Sequence, residues 1–456
     1  MSNVRDFGAT GDGQTDDTDA ILHALSDGDG LLEFSRGVYR VTRTIEIPLA
    51  ERGPAGVVGS AGTARVVMAG PGPAFRLLGT HEGSGDPGSV KPHTATKERL
   101  PSVLNLEIEG AHAEADGLEL IGTMQPVLEG LLVTKCRHGI RLHRRNRNVL
   151  ISHCHVYHNT GVGVFLDGVN LHQINIIGCH ISYNRLGGIR IAGSEVRNLQ
   201  ITGNDIEYNN HRSHDTDPEP TAEILIDTTA EGSSVEEVTV ASNTIQATPS
   251  PGGANLRIVQ NPDAAQAYGL WTISGNIIGN QENSVHLTGC HGVVLSGNFI
   301  YSSEKWNLLI ENSRQINITG NSFRRHTPRL GTGVRLAGSR DCVLSGYTIQ
   351  DEDPEGQASG QPLLEIADCK RITVNGCQLL DGVPYGINVL DSSQVCITGS
   401  TIMDTRAEPK SRGAIRFTGR GVANLVMGNI IGQTREKPLE FDEKSIVTVG
   451  KNVEAT

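Results

Sequence analysis

Two glutamates stand at matching places in successive repeats: Glu282 lies six residues beyond Asn276, and Glu304 six beyond Asn298. If both segments follow the same path, the two are neighbours one strand spacing, ~4.8 Å, apart. A retaining glycosidase needs two carboxyl groups at ~5–5.5 Å, one as nucleophile and one as acid/base. Mutual repulsion raises one pKa, as an acid requires. Lys305 and Trp306 adjoin the pair, and Trp306 can stack on a sugar ring; Arg324, Arg325 and His326 follow in the next repeat. β-Elimination from a uronic acid needs other groups: a cation that neutralises the carboxylate, and a base such as Lys, His or Tyr. Lys305, His326 and His286 can serve there. The expected catalytic set is therefore Glu282, Glu304, Lys305 and His326.

A second set lines up as a column of outward residues on one recurring strand. In order it holds Glu119, Arg141, Phe165, Arg190, Leu225, Arg257, His286, Leu309, Arg335, Glu365, Asn388 and Arg416. Five arginines and a histidine on one face of an acidic chain suggest a cationic track for an anionic glycan, with Arg forks on carboxylates. The competing reading is a solvated sheet face whose arginines pair with acids. Arg190, Arg257, His286 and Arg335 are the expected contacts, together with Trp306. The long segment 207–220 carries Tyr208, His211 and Asp215, which are expected to wall the groove. Tyr157, His158 and Tyr183 recur beside Asn159 and Asn184 and extend the same wall.

His153, Cys154, His155, His158, Cys179 and His180 include zinc-ligand types. Cys154 and Cys179, however, fall in an inward-facing column, and no metal-site spacing repeats. No metal is expected. No phosphate-binding Gly loop and no Ser-centred nucleophile elbow is present, and no cofactor is expected.

The element that must position these residues is a short repeat: apolar, polar, Gly-Asn, x, Ile. It reads Ile201-Thr202-Gly203-Asn204-Asp205-Ile206, then Ile273-Ser274-Gly275-Asn276-Ile277-Ile278, Leu295-Ser296-Gly297-Asn298-Phe299-Ile300, and Ile318-Thr319-Gly320-Asn321-Ser322-Phe323. The shortest spacings are about 22–25 residues, a solenoid period. Each copy has a second strand alternating in–out–in, such as Ile189-Arg190-Ile191 and Val285-His286-Leu287. No copy leaves room for a helix. Two or three short strands per copy make one coil, and stacking buries each coil's apolar edge. The pattern predicts an all-β, right-handed parallel β-helix of about a dozen coils. It also places Ile206, Ile245, Ile278, Ile300, Phe323, Ile349, Leu379 and Ile402 in an internal column.

The N-terminus differs. Asp6-Phe7-Gly8-Ala9-Thr10-Gly11-Asp12-Gly13-Gln14-Thr15-Asp16-Asp17-Thr18-Asp19-Ala20-Ile21 leads into a short apolar-spaced helix, which Asp16 or Thr18 can cap. Such a helix would cover the open end of the solenoid. This segment, with Gly37-Val38-Tyr39-Arg40-Val41, resembles the N-terminal signature of the pectate-lyase-like β-helix superfamily. The Gly-Asn coils are similar, less specifically, to β-helical inulin fructotransferases. The resemblance implies the fold and the cap, with Asp12, Asp16 and Asp17 as loop and capping residues. It implies no one reaction, since the superfamily holds lyases, glycoside hydrolases and phage tailspikes.

Composition agrees. The chain has 456 residues, with 55 glycines and only 4% aromatics, which suits short strands and tight turns. A single domain over 1–456 is expected: a cap over 1–30, coils over about 30–450 and a tail at 451–456. The net charge of −12 argues against a nucleic-acid partner, and no apolar run is long enough to span a membrane. No secretory leader is legible, so the protein is expected to be cytoplasmic or to lack its native leader. The eight cysteines are expected to be reduced and buried. The leading functional expectation is an enzyme that cleaves or rearranges a glycosidic bond in a poly- or oligosaccharide by paired carboxylates. The alternatives are a polysaccharide lyase acting on a uronate and a non-catalytic, tailspike-like glycan binder. Assembly into a homotrimer is expected by analogy alone.

Overall fold

A computed structural model of the chain describes residues 2–83, 85–209, 222–261, 269–325, 333–351 and 360–455. The chain divides into two compact units: Met1–Thr216 with Ala222–Thr239, and Asp217–Thr221 with Val240–Thr456. In both, most described residues from 31 onward belong to a short parallel strand or to the corner between two such strands; the first unit also carries the short helices Leu49–Arg52 and Pro92–Lys97, which the repeat had given no reason to expect.

In the first unit, the short strands Ala64–Met68, Glu107–Gly110, Leu132–Thr134, His155–Tyr157, His180–Ser182 and Asp205–Glu207 stack in parallel. Their register puts Val66, Ile108, Val133, Val156, Ile181 and Ile206 in one inward column, each at 0% exposure. In the second unit, Ile245, Ile278, Ile300, Phe323, Ile349, Leu379 and Ile402 form the equivalent column and Ile431 extends it. These are the residues that the two-residue offset after Gly-Asn had singled out. Burying each contributes about 1.5–3 kcal/mol, so the column is a principal source of cohesion between coils. Among the described residues the first unit holds eight such short strands and the second nine, more than the dozen or so coils expected. Copies before residue 130 lack the Gly-Asn signature and were not counted by it.

The Gly-Asn pair divides its work. Gly203, Gly275, Gly297 and Gly320 take the left-handed conformation, with φ of 62–66°. The Asn that follows turns inward and bonds to the next coil. Asn243, Asn276, Asn298 and Asn321 form one amide ladder at 2.9–3.0 Å, and Asn159, Asn184 and Asn209 form another at 2.8 Å. Asn276, Asn298, Asn321, Asn159, Asn184 and Asn209 also donate to a main-chain carbonyl of the coil before, such as Asn298 Nδ2 to Ile273 O at 2.9 Å. Buried corner groups that no strand reaches are thereby satisfied. All eight cysteines are free, and all but Cys396 are buried.

At the N-terminus, the helix Thr18–Asp27 packs Ile21, Ala24 and Leu25 inward. Asp17 stands at its N-cap but bonds Thr10 and Gly11 main-chain N–H groups, at 2.7 and 3.1 Å. Asp16 caps instead, accepting from the N–H of Thr18 at 3.1 Å. Asp12 accepts from Gln14 and Thr15 N–H groups, which hold its carboxyl down to about 2. All three acids thus act in loop closure and capping.

Candidate active site

Within the second unit, an open cavity of about 470 Å³ lies over the strands Ala254–Gln260, Asn283–Thr288, Trp306–Glu311 and Val334–Ala337. These strands pair in parallel, with Arg257 beside His286, His286 beside Leu309, and Leu309 beside Arg335. Inward neighbours Leu256, Ile258, Val285 and Leu287 are fully buried and hold the outward residues on one face. Arg257, His286 and Arg335 therefore share a face, as the alternation required, with Leu309 as an apolar patch between them.

Glu282 and Lys305 lie in the corners that lead into two of these strands. Here the expected carboxylate pair does not form in register. Asn276 and Asn298 are 22 residues apart in the ladder, whereas Glu282 meets a residue 23 further on. One extra residue in the second corner shifts the alignment. The N–H of Glu304 bonds to Gln281 O at 2.9 Å, and that of Lys305 to Glu282 O at 2.8 Å. Glu304 is exposed and does not line the cavity. Lys305 takes its place, with Nζ 2.9 Å from Glu282 Oε1. The other oxygen of Glu282 accepts from Gly252 N at 3.0 Å. Burial pushes the Glu282 carboxyl up, but the Lys305 ammonium, the Gly252 N–H and the Arg257 charge outweigh it and leave the pKa below the ordinary value.

His286 is held at both ring nitrogens. Its Nε2 lies 2.8 Å from Glu311 Oε2 and 3.2 Å from Thr288 Oγ1, and its Nδ1 lies 3.3 Å from an Arg257 guanidinium nitrogen. A guanidinium can only donate, so the bare ring nitrogen is Nδ1 and the hydrogen sits on Nε2, toward Glu311. Arg257 is anchored from behind by its bond to Gly252 O at 2.7 Å. Burial lowers the His286 pKa, Glu311 opposes this, and the Arg257 charge lowers it further; the net shift is downward. The imidazole is consequently neutral at neutral pH.

Trp306 is half-buried at the rim. Gly333 lets the indole pack closely, since a Cβ there would meet the ring at 3.0 Å. Arg335 sits 5.9 Å from the Trp306 ring centre, with Nε 3.1 Å from Glu365 Oε1. That ion pair is one of several, and together they correct the reading of the column as an uncompensated cationic track. In the first unit Arg76 and Arg141 both hold Glu119, and Arg141 also holds Asp167. In the second, Arg416 Nε lies 3.3 Å from Glu440. Acids in the same column neutralise most of its arginines.

The remaining expected contacts are elsewhere. Arg190 belongs to the first unit, beside Phe165, with its guanidinium 5.8 Å from that ring. Tyr208, also in the first unit, stacks on Tyr183 at 5.6 Å, and Tyr183 on His158 at 5.0 Å. His211, Asp215 and His326 lie outside the described residues. Glu311 and Gly252 also line the cavity and were not among the expected contacts. Glu311 stands two residues beyond Leu309, so the next outward position of the same strand would have revealed it. Among the described residues, no group of three His, Cys, Asp or Glu side chains converges as a metal site.

The chain is similar in fold to several solved phage proteins. The Dettilon tailspike protein gp208 matches with a TM-score of 0.52 at 16% identity, over 92% of this chain and 68% of that one. The pre-mature bacteriophage phi29 gene product 12 matches at 0.59 and 12%, over 99% and 65%. The Pseudomonas phage phi297 tailspike gp61 matches at 0.51 and 12%, over 96% and 80%. No curated protein sequence matches. The description "Rhamnogalacturonase A/epimerase, pectate lyase-like" fits residues 1–65. The description "Right handed beta helix region" fits residues 96–261 and 258–431. With most of its length so matched and the described strands of each unit paired in parallel, the chain belongs to the right-handed β-helix family.

Proposed function

We propose that the protein acts on an acidic poly- or oligosaccharide at the cavity of the second unit, and that the reaction is β-elimination from a uronate. The observation that carries this reading is the Glu311–His286–Arg257 array: a neutral imidazole, oriented by a carboxylate, with its bare nitrogen masked by an arginine. A substrate carboxylate draws Arg257 to itself, because a charged acceptor forms the stronger bond. That exposes His286 Nδ1 as a base. Nδ1 takes the C5 proton, the C4–O4 bond breaks, and a C4=C5 double bond forms. The departing O4 takes a proton from the Lys305 ammonium, which Glu282 keeps charged until then. Glu311 stabilises the imidazolium. Trp306 offers the ring face and Arg335 a second cation. General-base help of this kind contributes about 10²–10⁴-fold.

Double displacement by paired carboxylates has less support. Glu304 is out of register with Glu282, and the Glu282 carboxyl is held down rather than raised. The test is incubation with polygalacturonate and alginate, followed in the ultraviolet for unsaturated uronate. Absorbance with the native chain, lost in His286→Ala, supports the reading. New reducing ends without absorbance mean hydrolysis, and binding without product means a glycan-binding scaffold; either overturns it.

A further inference from the structure

The first unit carries a larger cavity, about 670 Å³, of opposite character. Two columns converge on it. The first is a corner column held in the left-handed conformation: Gln125, Asn148, Gln173 and Asn198, with φ of 57, 52, 66 and 55°. The second is the outward position two residues on. There Val127 pairs with Leu150, Leu150 with Asn175, and Asn175 with Gln200. Between the columns Val149, Ile174 and Leu199 are fully buried, so the corner bends around a rigid core.

Six carboxamides thus face one open space. None of their side chains hydrogen-bonds to another group among the described residues, and Asn148 Oδ1 is shielded from solvent with no partner. Each amide offers donors and an acceptor together, the combination that vicinal hydroxyls match in pairs. Successive amides in a column are spaced by the coil repeat, ~4.8 Å, comparable to the length of one pyranose ring. Leu100, 60% exposed, and Leu150, 43% exposed, supply apolar surface for the ring faces. Arg99 is the one charged residue of the lining. With no carboxylate in the lining, these amides are suited to reading hydroxyls along an extended chain.

We propose that this groove is a second saccharide site, taking a neutral oligosaccharide laid along the coil axis with about one sugar per coil. The inference stands apart from the reaction proposed above, since it uses other residues and a ligand of other charge. The test is calorimetric titration of the full chain with hexasaccharides of glucose, mannose and galactose. At least one is expected to bind, at least tenfold more weakly in the double variant Gln173→Ala/Gln200→Ala, and unchanged in Glu282→Gln. Both glutamines are exposed, so the double variant should melt with the native chain. Asn175→Asp, which adds charge without changing size, should weaken the same ligand. The proposal is overturned if no neutral hexasaccharide binds, if binding ignores all the groove variants, or if the native chain self-associates through the groove and the double variant abolishes it.

Discussion

The cavities of the two units are floored by strands of one repeat, yet their side chains are organised in opposite ways. In the second unit the lining groups are charged and tied to one another: Lys305 to Glu282, Gly252 to Glu282, Arg257 to His286, His286 to Glu311. In the first unit, Arg99 aside, the polar lining groups are uncharged amides, unbonded among the described residues. The corner position that holds Gln173 and Asn198 in the first unit holds Gln315, Asp341 and Arg371 in the second, all with φ between 54 and 66°. There Gln315 is bonded to His291, and Arg371 grips Asp341 in a bidentate pair. The backbone is the same and the pairing differs. A β-helix fixes where side chains stand; whether a column meets a ligand or closes on itself depends on whether its members can satisfy one another.

The largest expected effect would erase the comparison by removing the shared core. Ile300→Asp buries a charge beside Ile278 and Phe323 and should cost more than about 4 kcal/mol, read as loss of cooperative unfolding. Next comes His286→Ala, expected to lower elimination by about 10²–10⁴-fold with an unchanged melting temperature. Lys305→Ala should cost about tenfold in turnover and leave neutral-ligand binding untouched; a loss of both would merge the two cavities functionally.

The pH dependence follows from the charged cavity alone. His286 has its pKa lowered by burial, so its neutral form is favoured in the folded chain. Stability from this group is complete above the ordinary histidine range and is lost as pH falls through that range toward the lowered value. Activity should fall on the same side, with its acid limb below the ordinary histidine value. The lowered pKa of Glu282 adds a second loss at lower pH, as its carboxylate protonates and releases Lys305. The groove of amides should show neither limb.

The smallest effect concerns how the first unit's ladder ends. Asn209 donates to Glu223, which is fully buried with its pKa raised by desolvation. Its stabilisation is present at low pH and declines as pH rises above the ordinary carboxylate range. Glu223→Gln keeps the acceptor for Asn209 and removes the acid. It should raise the melting temperature slightly at neutral pH and flatten its alkaline decline.

How much was legible varies with the kind of feature. The inward column from Ile245 to Ile402 follows from the fixed offset after Gly-Asn, because hydrophobic burial enforces that period at every coil. The face shared by Arg257, His286 and Arg335 follows from strand alternation. The Glu282–Glu304 alignment failed because it crossed a corner, where no apolar period counts residues: Gly279 to Glu282 is matched by Tyr301 to Lys305, one residue longer. That the arginine column is salt-bridged was legible as one of its two readings, but not which acids close the pairs, since an outward Arg and an outward Glu one coil apart neutralise each other only if their side chains converge. The amide groove escaped notice because its residues carry no charge, and their 25-residue spacing matters only once the corner is known to be concave.

The most direct measurement is a crossed titration of the native chain and two variants, Arg257→Ala/Arg335→Ala and Gln173→Ala/Gln200→Ala, with an oligogalacturonate and with the neutral hexasaccharides. The account predicts that the first variant loses only the acidic ligand and the second only the neutral one, each by at least tenfold. If one variant loses both ligands, or if the acidic ligand binds the first variant as tightly as the native chain, the division between the two cavities is contradicted.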